Sequence, residues 1–321
     1  LHRRSPHVPS RIDGKIRHVP ANGSDALTAI FLKASPMTAA LPPFTGIQEI
    51  FHPSDFTEAS ETAFAHALKI ALASGGKLTL FHASNGARVD WHEFPGVRQT
   101  LERWKLLPLA SPRTAVAELG IRVSKIVSKG SGPVATVREY LEDHGADLIV
   151  LATHAHEGRM RWLHGSVAEP IARDSHRMTL FIPHGVEGFV SNADGSVRLR
   201  NVLIPAALEP WAEPAVKAAT RLATALGASP VEFHLMHVGD EGDLPALTTP
   251  ENPAWKWNKF CRRGPVLDTI LHAAEAYHAD LVVMTTDGHH GFLDALRGNT
   301  TERVLHRLRC PLLAVPTDAA R

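Results

Sequence analysis

Short apolar runs recur along the chain and alternate with stretches of a longer period. IQEIFHPSD from Ile47, KLTLFHA from Lys77, RVSKIVS from Arg122, LIVLAT from Leu148 and TLFIP from Thr179 are compact, and most are rich in Val, Ile, Leu or Phe. Runs of this length, bounded by turn-forming residues, read as strands, the most apolar of them buried. Between them, small or apolar residues return at helical spacing, as in Ala63, Ala67 and Ala71 before Gly75. Strands separated by helices make parallel sheets with right-handed crossovers, covered on both faces. The expected fold class is α/β.

The same order returns in the second half. VLIPAA, VEFHLMHV, WKWNKFC, LVVMTT and LLAVP repeat the strands, while Ala215, Ala219, Ala223 and Gly227 repeat the alanines and glycine of the first helix. Ala146 to Pro183 aligns with Ala279 to Pro316 without a gap, and His82 and His237 stand near the ends of the second strands. The offset between copies falls from 152 residues at the first strand to 133 at the fourth, so the second copy is shorter by 19. There the first copy carries predicted helices at 101–109 and 115–119, and the second carries the loop-like EGDLPALTTPENPA. The organisation expected is two doubly wound parallel five-stranded sheets in tandem: a first domain over 47–184, a linker over 185–197 and a second domain over 198–317.

HPSDFTEAS after the first strand, FHA or MHV in the second, the ADLIV and ADLVV fourth strands and the loops ending in GSVAE and GNTTE resemble the universal stress protein family from about residue 47 to the end. The resemblance implies the strand order 3-2-1-4-5 of an adenine-nucleotide alpha-hydrolase-like fold. It also implies a loop after the fourth strand, G-x-x-G, nine residues, then G-S or G-T, that wraps the phosphates of ATP. The spacing is kept in both halves, but the residues are not. The first half has Ala152, Ala155, Gly165 and Ser166; the second has Thr285, Gly288, Gly298 and Asn299, with Thr300 next. Backbone N–H groups cradle a phosphate where no Cβ intrudes and positive φ is allowed, and a following helix adds its N-terminal amides. Two alanines therefore impair the first loop, whereas Gly288 and Gly298 favour the second. Asn299 can donate through its amide and Thr300 through its hydroxyl.

The family's other wall is the loop after the first strand, where an aspartate meets the nucleoside. Pro53, Ser54 and Asp55 stand there in the first half, and Pro205, Ala206 and Ala207 in the second. By resemblance, ATP with Mg²⁺ or Mn²⁺ binds in the second domain at Pro205, Ala206, Ala207, Met284, Thr285, Gly288, Gly298, Asn299 and Thr300. The first-domain site, at Pro53, Ser54, Asp55, Ala152, Ala155, Gly165 and Ser166, is degenerate. The function implied is a stress-response regulatory or binding protein; the alternative is an interaction scaffold without nucleotide, in which Gly288, Gly291 and Gly298 only shape a tight loop.

Twenty histidines accompany two tyrosines. Among them His154 and His156, with Asp55, form a set whose imidazoles and carboxylate suit zinc or manganese, the basis of a third reading as a metal-dependent hydrolase. Against it, Asp55 and Thr57 are equally explained as a cap on the following helix. The chain has no G-x-S-x-G, H-E-x-x-H or full Walker A sequence, so no catalytic residue is assigned, and ATP cleavage would be slow and incidental. Trp255 and Trp257 are expected to cover the second sheet rather than stack a base.

Net charge is +1, with six Lys/Arg against two Asp/Glu in residues 1–36, which leaves −3 for the remainder. That balance argues against a nucleic-acid partner. No run approaches the length of a membrane span. The first 36 residues show no sustained period, and Met37 is read as the start of the natural chain, after a disordered or non-native extension. Two cysteines, Cys261 and Cys310, are too few for a disulfide framework and fit a cytoplasmic setting. The partners expected are an adenine nucleotide and proteins that the sequence does not identify. TLFIP and LLAVP are expected to pair within the chain as an intramolecular pseudo-dimer, with a homodimer as the alternative.

Overall fold

The apolar runs form strands because both of their faces are covered. The structure, a computed structural model, describes residues 46–84, 90, 92–130, 132–153, 168–209, 211–286 and 300–317. The first half contains β1 (Glu49–Pro53), α1 (Glu58–Ser74), β2 (Lys77–Ser84), α2 (Val97–Arg103), α3 (Ala115–Glu118), β3 (Arg122–Lys129), α4 (Pro133–His144), β4 (Leu148–Thr153), α5 (Ala168–Ser175) and β5 (Met178–Pro183). The second contains β6 (Asn201–Pro205), α6 (Glu213–Ala225), β7 (Val231–Val238), β8 (Trp255–Arg262), α7 (Val266–Ala276), β9 (Leu281–Thr286), α8 (Thr300–Leu305) and β10 (Leu312–Pro316).

All ten strands join one sheet in the order β3-β2-β1-β4-β5-β10-β9-β6-β7-β8. The two expected 3-2-1-4-5 sheets are both present, and they share an edge. Neighbours are parallel within each half, but β5 and β10 are antiparallel, with Leu180 opposite Leu313 and Phe181 opposite Leu312. The halves are therefore related by an approximate twofold at this junction.

Alternate residues of each strand serve opposite faces. Ile50, Leu80, Val150, Leu180, Val202 and Leu313 pack with α1 and α6, whereas Phe51, Phe81, Ile149, Phe181, Leu203 and Leu312 pack with α4, α5, α7 and α8. The repeated Ala-Asp before the fourth strand of each half has a common structural role. Asp147 Oδ2 accepts from the backbone N–H of Gln48 and Glu49 at 2.8 and 2.9 Å, and Asp280 Oδ2 from Arg200 and Asn201 at 2.7 and 2.8 Å. Each aspartate thereby ties the entry of the half's first strand to that of its fourth.

The helix expected at 101–109 lies instead at Val97–Arg103. Leu106 and Leu109 are exposed, 43% and 85%, and Pro108 interrupts them, so the stretch after Arg103 has no continuous apolar face to bury. The chain instead turns at Lys105, with φ 59°, and seats Trp104 in the core, where its Nε1 donates to the carbonyl of Asn192 at 3.2 Å. WKWNKFC is the edge strand β8: Trp257 stacks on Phe233 at 4.5 Å and Trp255 meets it edge-on at 5.3 Å. Both indoles cover the sheet, as expected.

The stretch between the halves is docked rather than loose. His66, fully buried in α1, donates from Nδ1 to the carbonyl of Thr62 at 2.8 Å, and its Nε2 accepts from the N–H groups of both Phe189 and Val190 at 3.1 Å. Phe189 and Val190 have no exposed surface. Among the described residues no helix is long and apolar enough to cross a membrane.

Candidate functional site

Within each half the order of strands reverses between the first and fourth strand, and sheets of this kind take ligands outside the carboxyl ends at that point. In the second half β6 lies between β7 and β9, with Val202 opposite Leu281. Because β5 and β10 are antiparallel, the carboxyl ends of the two halves' strands face opposite edges of the sheet. Asp55, after β1, and the carboxyl end of β9 therefore lie at opposite ends of the strands.

In the second mouth Pro205 ends β6, and Ala206 donates its N–H to the carbonyl of Met236 at 2.7 Å. The Ala206 carbonyl accepts from His237 Nδ1 at 2.8 Å. Met284 and Thr285, near the end of β9, are both buried. The Thr285 hydroxyl accepts from the backbone N–H of Ala215 at 3.3 Å. Ala212, at the start of α6, offers no side-chain cap; a threonine where the family has its first loop glycine thus caps this helix from another strand. Among the described residues the buried hydroxyl of Thr286 has no hydrogen-bond partner, an orphaned polar group of the kind that a bound polar ligand could satisfy. Thr300 is the first residue of α8. Gly288, Gly298 and Asn299 lie outside the described residues.

Sequence reasoning missed Trp211. It follows β6 in the loop to α6, forms an isolated bridge with Ala207, and exposes 42% of its surface; Leu208 beside it exposes 59%. Both side chains stand exposed beyond the carboxyl end of β6. The signal in the sequence was a tryptophan four residues after Ala207, where the first half has Glu-Ala-Ser.

The first mouth repeats the second in its backbone. Pro53 ends β1, Ser54 donates its N–H to the carbonyl of Phe81 at 2.8 Å, and the Ser54 carbonyl accepts from His82 Nδ1 at 2.8 Å. Asp55 Oδ1 accepts from Thr57, from its N–H at 3.1 Å and its hydroxyl at 2.7 Å, while Thr57 Oγ1 accepts from the Ser60 N–H at 3.4 Å. This carboxylate orders the start of α1. Ala152 is half-buried near the end of β4. Ala155, Gly165, Ser166 and the histidines His154 and His156 lie outside the described residues, among which no group of three His, Cys, Asp or Glu side chains gathers to hold a metal. The sequence also gave no sign of His52: it is fully buried, donates from Nδ1 to the Val150 carbonyl at 2.9 Å, and among the described residues leaves Nε2 without a partner. Burial lowers its pKa to about 4, outweighing the hydrogen bond to Val150 and the attraction of Asp55. Burial also pushes the Cys310 thiol up to about 12, which fits a packing role and not a nucleophile.

One doubly wound α/β sheet with a topological switch point in each half defines a fold class that takes ligands at its strand ends. The sequence profile described as the universal stress protein family matches residues 46–183 and 256–316. This chain belongs to the universal stress protein family. Among curated proteins, universal stress protein A homolog 1 of Coxiella burnetii (strain RSA 493 / Nine Mile phase I) is 42% identical over 52 residues, 16% of this chain; the match spans 35% of that protein's length. Among solved structures, a universal stress protein from Archaeoglobus fulgidus DSM 4304 superposes with a TM-score of 0.57 at 19% identity, covering 85% of this chain and 97% of that one. A candidate universal stress protein from Pseudomonas aeruginosa UCBPP-PA14 superposes at 0.55 and 16% identity, covering 86% and 96%. At these identities the structural likeness speaks for the fold.

Proposed function

We propose that this is a regulatory protein of the stress response that binds an adenine nucleotide, ATP, in its second half. The observation that carries the reading is Trp211, an exposed indole at the carboxyl end of β6 in the half whose loop retains Gly288 and Gly298. That half lacks the aspartate of the first-strand loop, and an indole offers the base a stacking face where a hydrogen-bonding partner is missing. Phosphates would lie against backbone N–H groups of the loop, with the Thr286 hydroxyl available as a donor. Mg²⁺ or Mn²⁺ would enter with the phosphates and offset their charge. The test is calorimetric titration of Mg²⁺–ATP into the full chain. One site is expected, with Trp211→Ala weakening it about tenfold through lost stacking and Gly298→Asp abolishing it by placing a carboxylate against the phosphates. Unchanged affinity in both variants would overturn the assignment.

A second reading, an interaction scaffold without nucleotide, is favoured by the fate of two mouth side chains: Asp55 and Thr285 both serve to order helix starts. On that reading, saturating ATP leaves the melting temperature where it was.

A further inference from the structure

The approximate twofold at the β5/β10 junction should create two equivalent spaces on the face covered by α1 and α6, and the described residues fill only one of them. Beside His66 and Pro311 the space is filled by Gly188, Phe189 and Val190. A Cβ on Gly188 would collide with His66 Nε2 and meet Pro311 Cγ at 3.3 Å. The offsets of 152 and 133 residues put Ala218 at the place of His66 and Met178 at the place of Pro311. There, lined by Ala218 and Met178, the structure has a cavity of about 230 Å³.

Its apolar wall comes from both halves, Ile70 and Leu180 from one and Leu222 and Leu313 from the other. Its charged lining also comes from both: Arg177 precedes β5, whereas Lys217 and Arg221 stand four residues apart on α6, on one face of that helix. All three are exposed, and among the described residues none has a side-chain hydrogen bond or ion pair. His176 lines the cavity as well, and among the described residues Asp147 is its one acid, already engaged by the N–H groups of Gln48 and Glu49.

We propose that this junction pocket binds a small amphiphilic carboxylate. The apolar body would take the place that Phe189 and Val190 take in the twin space, and the carboxylate would lie on Arg177, Lys217 and Arg221. An apolar wall of this kind gives a bare inorganic anion no purchase, whereas three unpaired cations disfavour an uncharged hydrocarbon. The ligand would bridge the two halves. The inference is independent of the nucleotide reading, since the strand-end mouths contribute nothing to this cavity.

The test is calorimetric titration of octanoate into the full chain, with octan-1-ol and inorganic phosphate as the headless and bodiless probes. Octanoate should bind at one site per chain, octan-1-ol about tenfold more weakly, and phosphate without saturation. Arg177→Glu and Arg221→Glu, both at exposed positions, should each weaken octanoate about tenfold, and Ala218→Phe should block it by filling the cavity. Equal octanoate affinity in the wild type and both arginine variants would overturn the proposal, as would no uptake at all.

Discussion

At the scale of single residues, His66 works only as a neutral ring. Two N–H groups converge on its Nε2, which must present a lone pair, and burial holds its pKa at about 4 against an ordinary 6.5. His52 is held at about 4 for the same reason. Both rings bind a proton less readily in the folded chain than in the unfolded one. Stability from these sites is therefore complete above about pH 6.5 and is lost as pH falls toward about 4, below which the folded rings also protonate. The loss is on the order of 3 kcal/mol per ring at most. His66→Gln keeps an acceptor but cannot titrate, so urea denaturation from pH 7 to 4 should show a shallower decline for this variant. An unaltered slope would show that His66 is not the group being protonated. In the sequence His66 was one histidine among twenty, inside an alanine-rich helix. Its role was illegible there because its partners lie more than 120 positions away.

At the scale of elements, α1 and α6 are copies that begin by different means. Thr57 caps α1 locally, ordered by Asp55, whereas α6 receives its cap from Thr285 across the sheet. Thr285→Val should remove that acceptor and destabilise the chain by about 1 kcal/mol, read as a lower urea midpoint at unchanged slope. Ala152, the equivalent residue of the first half, faces no such demand because α1 is already capped. Both helices were visible in the alanine spacing, and the two loop series were visible as departures from the family's glycines. The use of Thr285 was not, since it depends on how closely β9 approaches α6. The shift of α2 from the expected 101–109 to Val97–Arg103 has a similar origin: the burial of Trp104 against Asn192 was decided by a segment that follows nearly ninety residues later.

At the scale of the whole molecule, one sheet runs through both halves, and the docked stretch at Phe189 and Val190 ties them further. Thermal unfolding should therefore be a single calorimetric transition. Ala314 sits at the joint, opposite Thr179 on β5 and Met284 on β9. Proline there cannot donate to the ladder, and Ala314→Pro should lower the melting temperature and split the transition in two. A single, unshifted transition in the variant would mean that the β5/β10 seam does not couple the halves.

The sequence by itself determined the family, the α/β class, the repeat, and nearly every strand, because these follow from short-range periodicity and a motif spacing written twice. The family resemblance supplied the strand order 3-2-1-4-5, which the sheet shows in both halves. Only long-range packing settled that the sheets fuse through β5 and β10, that the mouths therefore face opposite ends of the strands, that His66 clamps the segment between the halves, and that the described residues leave open one of two twin spaces at the junction. Each of these depends on which side chains meet across the approximate twofold. That is a matter of long-range packing, and local spacing along the chain carries no record of it.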